Sequence, residues 1–213
     1  MSSTLDTNRL AVLVHELRSP VAALSAIADA LVDGELDSAA RRELARLAVQ
    51  ACRAIERIVA DAAVASIRLE RTDPLALVDD VVAAARLRGV RITVAAPERA
   101  PLVELDPTRV RQVLDNLTTN AVVHGGTGVD VSVSVRVDEA LRIEVSDNGP
   151  GIAGDDLESV FEAGVRLDSH RPGTGIGLAL ARALVEGHRG TLTVVSTLGV
   201  GTTFTISVPL SGP

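Results

Sequence analysis

Two apolar stripes of helical period, parted by a short polar break, fix how this chain can begin to fold. Leu10, Leu13, Val14, Leu17, Leu24, Ile27, Ala28 and Leu31 recur at helical spacing over about residues 6–31. Leu44, Leu47, Ala51, Ile55, Ile58, Ala62 and Ala65 do the same over about 38–66. Between them Asp33-Gly34-Glu35-Leu36-Asp37 interrupts the pattern. Gly34 is placed to cap the first helix and Asp37 to N-cap the second. The expected product is an antiparallel hairpin of long helices, with Pro20 bending the first. Such a hairpin cannot bury both stripes by itself. Pairing with a second copy into a dimeric four-helix bundle solves that.

The pattern changes character over Arg68–Thr72, which places a domain boundary between residues 67 and 68. Asp73-Pro74 and Asp106-Pro107 each read as an N-cap followed by a first-turn proline, opening helices to about Leu87 and His124. Strands are expected at 90–95, 102–105, 129–137, 141–147, 190–196 and 201–208, where Val and Ile alternate with polar residues. A short helix is expected near 155–161 and a longer one over 174–187. The chain is therefore α+β: a helical hairpin over 1–67, then an α/β sandwich over 68–213.

Composition removes several kinds of chemistry. Aromatic residues make up 1% of the chain, so no stacking platform for single-stranded nucleic acid is available. The net charge is −7 and no basic block stands out, so nucleic acid is not an expected partner. All 21 basic residues are Arg, which excludes a P-loop lysine or a Schiff base. Cys52 is the single cysteine and is expected as a small core residue on the apolar side of the second helix. One thiol offers neither a disulfide framework nor a cysteine metal site and fits a reducing cytoplasm. No apolar run approaches the ~18 residues that span a bilayer. His170 and His188 have no partners at metal-ligand spacing, and solvated lid and helix-end roles are expected for them.

Three clusters in the second region carry chemistry. Asn116, Asn120 and His124 are four apart on one helix face, which suits a polar ligand and a hard cation taking oxygen donors. Asp147-Asn148-Gly149-Pro150-Gly151-Ile152 lies at a strand end. The carboxylate there can accept from an exocyclic amine, while glycine lets the backbone approach a ring closely. Gly173-Thr174-Gly175-Ile176-Gly177-Leu178 runs into a helix whose exposed N–H groups suit phosphate. Each alone also fits an ordinary feature: a solvated helix face, a turn, a flexible loop.

In this order the three clusters resemble the N, G1 and G2 boxes of the ATP-binding domain shared by sensor histidine kinases, DNA gyrase, Hsp90 and MutL. Val160–Arg166 resembles the F box, and Gly199–Phe204 the closing glycine-rich hairpin. His15-Glu16-Leu17-Arg18-Ser19-Pro20 resembles the H box, which belongs to the histidine-kinase branch. The resemblance runs from the first helix to Leu210. It implies a Bergerat-type fold binding ATP and Mg²⁺. Asn120 matches the Mg²⁺ ligand, Asn116 the second box asparagine near the phosphates, and His124 a residue packing on the nucleotide. Asp147 matches the reader of the adenine amino group, with Gly149, Gly151 and Ile152 as the adenine floor. Gly173, Thr174, Gly175, Gly177 and Leu178 match the lid hinge and phosphate loop, Arg166 the lid-side base, and Thr202 a contact in the closing hairpin. Residues 162–172 correspond to a mobile ATP lid.

By the same resemblance, His15 is the phosphoryl acceptor, Glu16 its base and Ser19 the residue that positions water for dephosphorylating a partner. The implied enzyme is a homodimeric protein-histidine kinase that passes its phosphoryl group to an aspartate of a response regulator receiver domain. It is expected in the cytoplasm, free or as the cytoplasmic portion of a longer membrane-bound sensor. An ATPase of the same nucleotide fold and a non-catalytic dimeric scaffold are the alternatives. Three departures from the family pattern stand out. Val123 stands where a phosphate-contacting Lys is common, Gly164 where the F box has its second Phe, and His188-Arg189-Gly190 where His-Gly-Gly is usual. Charge neutralisation is thereby left to Mg²⁺ and Arg.

Overall fold

Local sequence signals become structure at well-defined places. The computed structural model describes residues 2–33, 36–162, 165 and 175–210. The chain divides into two units, Met1–Ala63 and Val64–Pro213.

The first unit is built from α1 (Ser2–Asp33) and α2 (Ser38–Val64). The Asp37 carboxylate accepts from Ala39 N–H at 3.0 Å and Ala40 N–H at 2.7 Å, so the expected N-cap forms. Gly34 lies outside the described residues. Helix α1 continues through Pro20, which is buried. On α1, Ile27 is buried and Leu13, Leu17 and Leu24 are half-buried, whereas Val14, Ala28 and Leu31 are exposed. On α2, Ala51 is buried and Ile55 and Ile58 half-buried, while Leu47 is exposed. One copy thus covers only part of each stripe. Cys52 lies on the open side of α2 and is exposed, not in the core as expected. It follows the buried Ala51 by one residue, and a 100° step turns it away from that stripe.

In the second unit a five-stranded sheet has the order β2-β4-β5-β7-β6. The strands are β2 (Arg91–Ala95), β4 (Asp130–Val137), β5 (Ala140–Asp147), β6 (Thr191–Thr197) and β7 (Gly201–Pro209). Strand β2 runs parallel to β4, and every other pair is antiparallel. Helices α3 (Pro74–Leu87), α4 (Pro107–Gly125) and α5 (Gly177–Gly187) pack on the sheet. The core between them is aliphatic: Leu105, Leu114, Leu117, Leu141, Ile143, Leu184 and Ile206 are each under 2% exposed. Side chains of this size contribute roughly 1.5–3 kcal/mol each when fully buried. The opposite face of the sheet is polar, with Ser134 bonded to Glu144 and Ser146 to Thr203, both at 2.8 Å.

Two elements differ from expectation. The stretch read as a boundary holds a strand, β1 (Glu70–Thr72), which pairs antiparallel with β3 (Val103–Leu105). Only a partner far along the chain makes such a short polar segment a strand. Around 155–161 there are two short 3₁₀ turns, Gly154–Asp156 and Ser159–Phe161, instead of one helix. There Phe161 meets Phe204 edge to face, with centroids 6.1 Å apart, and the Arg182 guanidinium lies 5.3 Å from the Phe161 ring centroid.

The C-terminal end of α5 is tied to the N-terminal end of α4 by His188. The ring is buried. Its Nδ1–H donates to Leu184 O at 2.7 Å, and its Nε2 accepts from Asp106 N–H at 3.0 Å. The Asp106 carboxylate in turn accepts from Arg109 N–H at 3.0 Å and Arg68 N–H at 2.8 Å. His188 does end the helix, but as a buried linchpin.

Helix α5 closes in a Schellman motif: Gly190 N–H bonds Val185 O at 3.0 Å and Arg189 N–H bonds Glu186 O at 2.8 Å. The motif requires a left-handed residue, and Arg189 adopts φ 60. It is the one non-glycine residue with positive φ among those described. An L side chain there is strained by roughly 1–2 kcal/mol. Arg189→Gly relieves that strain and gives back part of it as unfolded-state entropy. The variant is expected to gain about 0.5–1 kcal/mol, read as a raised midpoint in urea unfolding followed by circular dichroism.

Candidate functional site

Register alone assembles one end of the site. The pairings Val131↔Asp147, Asp147↔Thr202 and Thr202↔Ser196 place these residues in one row across β4, β5, β7 and β6. The row continues the buried alternation of the sheet, so it faces the helices. Asp147 is the last residue of β5 and half-buried. Its Oδ1 accepts from Gly149 N–H at 2.8 Å, and Thr202 N–H also donates to the carboxylate. Burial raises the Asp147 carboxyl above the usual carboxylate range. The two N–H donors and the charge of His124 only partly offset this. Thr202 is buried, and its Oγ1 lies 2.9 Å from Ser196 Oγ.

The loop after β5 is shaped by close backbone approaches. A Cβ on Gly149 would lie 2.6 Å from Gly125 Cα, so this residue packs directly on the end of α4. Gly151 has φ +73 and a Cβ there would lie 2.2 Å from Thr197 O. The next residue, Ile152, donates its N–H to Ser196 Oγ at 2.8 Å. Asn148 faces away from this floor. Its Oδ1 accepts from Asp130 N–H at 2.8 Å, pinning the end of β5 to the start of β4.

Helix α4 connects this end to the glycine loop. Asn116, Asn120 and His124 share a face about 12 Å long, at 1.5 Å per residue. At one end His124 acts on Asp147. At the other, Asn116 Nδ2 donates to the carbonyl of Gly177, the first residue of α5. A Cβ on Gly177 would lie 2.6 Å from Asn116 Oδ1, so a side chain there would push the Asn116 carboxamide aside. Asn120 is half-buried midway. Beside Asn116 a cleft of about 590 Å³ opens between α4 and the start of α5, lined by Arg111, Gln112, Asp115, Asn116, Thr119 and Gly177. Gly175 takes φ 76 just before the helix, and Leu178 is half-buried in its first turn.

The structure therefore brings together Asp147, Gly149, Gly151, Ile152 and Thr202 at one end of the α4 face. Asn116, Gly175, Gly177 and Leu178 gather at the other, with Asn120 and His124 along it. Arg166, Gly173 and Thr174 lie outside the described residues. His15, Glu16 and Ser19 are on α1, in the other unit, and are exposed. Ser196 was not singled out by the sequence reading, because a lone serine in an alternating strand carries no local mark of its three partners.

The geometry fits a nucleotide. A carboxylate at a strand end with a backbone floor suits a flat ring carrying an amine. A helix N-terminus with glycines suits phosphates. A metal at Asn120 would have one carboxamide oxygen from the protein. Among the described residues no group of three or more His, Cys, Asp or Glu is placed to hold an ion. A single carboxamide oxygen is compatible with Mg²⁺, which keeps waters and takes ligands from substrate phosphates. Among the described residues no helix is long and apolar enough to cross a membrane.

Comparison with known proteins agrees with this geometry. Residues 105–212 match the family described as histidine kinase-, DNA gyrase B- and HSP90-like ATPase. The adaptive-response sensory kinase SasA of Synechococcus sp. (strain JA-2-3B'a(2-13)) is 36% identical over 220 residues, covering 94% of this chain and 58% of that protein. The sensor-like histidine kinase SenX3 of Mycolicibacterium smegmatis is 34% identical over 212 residues, covering 92% and 55%. The chain thus spans little more than half the length of these relatives. Among solved structures, full-length ShkA in complex with AMPPNP is similar with a TM-score of 0.65 at 26% identity, covering 97% of this chain and 46% of that one.

The raised Asp147 carboxyl has a testable consequence for stability. The folded state holds the proton more tightly than the unfolded chain, whose aspartates titrate near about 3.9. The contribution is therefore full below that value. It is lost as pH rises through the raised folded value. Asp147→Asn keeps an acceptor for Gly149 N–H and removes the titration. Subtracting its melting temperatures from those of the unchanged protein, pH by pH, should give a difference that falls with rising pH above about 3.9. A flat difference would show that Asp147 ionises as freely as in the unfolded chain.

Proposed function

The chain belongs to the histidine kinase-, DNA gyrase B- and HSP90-like ATPase family, in its sensor histidine kinase branch, and from that premise we propose that it is a homodimeric kinase core that phosphorylates its own His15 from ATP. Residues 1–67 serve dimerisation and phosphotransfer, and 68–213 serve ATP binding. The observation that carries the reading is the α4 face, which joins an amine-reading carboxylate at Asp147 to a glycine-lined helix start at Gly177.

In this reading Asp147 accepts from the adenine amino group. Gly149 and Gly151 keep the floor flat, Ile152 lies against the ring and Thr202 closes the edge. Gly175, Gly177 and Leu178 present backbone N–H groups to the phosphates, together with Gly173 and Thr174. Asn116 holds that loop to α4, and His124 packs beside the nucleotide. Asn120 is the protein ligand for Mg²⁺, which supplies charge neutralisation at the phosphates when bound. With no lysine in the chain, Arg166 is the side chain proposed to assist it.

At His15 a neutral imidazole uses a ring-nitrogen lone pair to attack the γ-phosphorus. The N–P bond forms, the bond to the β–γ bridging oxygen breaks, and ADP leaves. The proton on the other ring nitrogen is held by Glu16, which eases the positive charge that develops. Both residues are exposed on α1, as a group reached by a separate domain must be. The phosphoryl group then passes to an aspartate of a response regulator receiver domain. Ser19, one turn beyond His15 and also exposed, is proposed to position water when that aspartyl phosphate is hydrolysed. The open halves of the two stripes, with Val14, Leu31 and Leu47 exposed, support burial against a second copy. The core is proposed to work on the cytoplasmic side, where ATP and the receiver domain are found.

Incubation with γ-labelled ATP and Mg²⁺ should give acid-labile, base-stable label on the chain. His15→Gln should abolish it, and Asn120→Ala should reduce it at least about tenfold through loss of a metal ligand. Undiminished label on His15→Gln would sink the assignment.

A further inference from the structure

Among the described residues, Glu56 is the only charged side chain buried within the helical hairpin. It is 4% exposed on α2, although glutamate is rarely hidden to that degree without a partner. Its Oε2 is buried and has no hydrogen-bond partner. No step proposed above uses it.

The hairpin determines what stands level with this acid. Residues equally far from the turn on α1 and α2 lie at one height, because both helices rise about 1.5 Å per residue. The buried residues Pro20 and Ala51 obey this register, each thirteen positions from its helix end at Asp33 or Ser38. His15 and Glu56 are each eighteen positions from the same two ends. The buried acid is therefore level with His15. Around that height the half-buried residues of α1 are Leu13 and Leu17, whose side chains have no donor to offer. Every described charged or titratable group nearby stands in solvent: His15, Glu16 and Arg18 on α1, and Arg53, Arg57 and Asp61 on α2.

Burial raises the Glu56 carboxyl above the usual range, and the charge of Arg53 only partly offsets this. The folded hairpin thus holds the proton more tightly than the unfolded chain, whose glutamates titrate near about 4.3. The resulting contribution to stability is full below that value. It is lost as pH rises through the raised folded value. A neutral acid can stay between the helices, whereas a carboxylate without a partner is driven outward to water. Arg53, one turn away on the same helix, is the cation that can meet it there.

We propose that Glu56 is a proton-sensitive lock of the hairpin: as the neutral acid it stays buried and α1 packs closely on α2, and as the carboxylate it turns out toward Arg53 and solvent and loosens the two helices at the height of His15. Its bearing on phosphorylation rests on the reading of His15 as the phosphoryl acceptor.

The test is hydrogen exchange, read by mass spectrometry on the whole chain, in the unchanged protein and in Glu56→Gln at matched pH. Gln keeps the shape of the neutral acid and cannot ionise, and intrinsic exchange rates cancel from the comparison. Between about pH 5 and about pH 8, peptides over residues 13–20 and 51–60 should lose protection relative to the variant by at least about fivefold. Peptides of the nucleotide-binding unit should keep a constant ratio. Glu56→Met, which fills the same space with apolar atoms, should also show no such loss. Arg53→Gln should move the loss to higher pH in the presence of Glu56 and leave Glu56→Gln unmoved. A constant ratio between the unchanged protein and Glu56→Gln over the whole range overturns the proposal, as does an Arg53→Gln shift that persists in Glu56→Gln. The reading of His15 fails separately: undiminished label on His15→Gln would leave the exchange difference as it is.

Discussion

A half-buried carboxylate at the end of β5 is the constraint from which the nucleotide-binding unit is arranged. Asp147 is costly to ionise there, and two backbone N–H groups, from Gly149 and Thr202, make the charged form tolerable. Both donors are available only if β7 lies in register beside β5 and the chain turns back at once after Asp147. The turn is possible because glycine at 149 lets the backbone press on the end of α4. One carboxylate thus ties sheet register, loop shape and helix position to each other. A shift of one residue in β7 would turn Thr202 to the polar face and remove the partner.

The second fixed point is α5, which is held at both ends by side chains that bond backbone. Asn116 takes the carbonyl of Gly177 at its start. At its end His188 does what few side chains can. It donates from Nδ1 to Leu184 O and accepts at Nε2 from Asp106 N–H, so a single neutral ring serves two buried backbone groups. Lysine or arginine could only donate, and asparagine is shorter. The helix start that faces the proposed phosphates is therefore braced from behind by a residue about 16 Å away along the same helix. Arg68 N–H joins this brace through Asp106, so the chain segment before β1 is held to the same point.

Much of this was legible in the sequence, and the division has a physical cause. Signals that act within a turn or a strand read correctly. Asp37, Asp73 and Asp106 cap the helices they precede, and alternation located the five strands of the main sheet. Spacing alone puts Asn116, Asn120 and His124 on one face of α4. What did not read locally was decided by distant partners. Strand β1 exists because β3 pairs with it. The burial of His188 comes from Asp106, eighty-two positions away. Cys52 was misplaced because a residue beside an apolar stripe can fall on either side of it, and a 100° step decides. Ser196 has one partner forty-four positions back, in a loop that nothing in its own strand announces.

Arg189 sharpens the point that a departure from a family pattern is a statement about energy before it is one about function. Where the related pattern has glycine, this chain holds an arginine in the left-handed region, and the Schellman bonds still form. The helix end is kept at a strain of roughly 1–2 kcal/mol, which the aliphatic core between α4, α5 and the sheet can absorb. The same reasoning bears on Val123. Valine there is half-buried within α4, which runs unbroken through it. Under the proposed reading its consequence falls on the charge of a bound phosphate chain. The first departure thus bears on stability and the second, under the proposed function, on catalysis. The structure separates them because the strained residue sits at the C-terminal end of α5, whereas Val123 sits on α4 beside His124, at the nucleotide face.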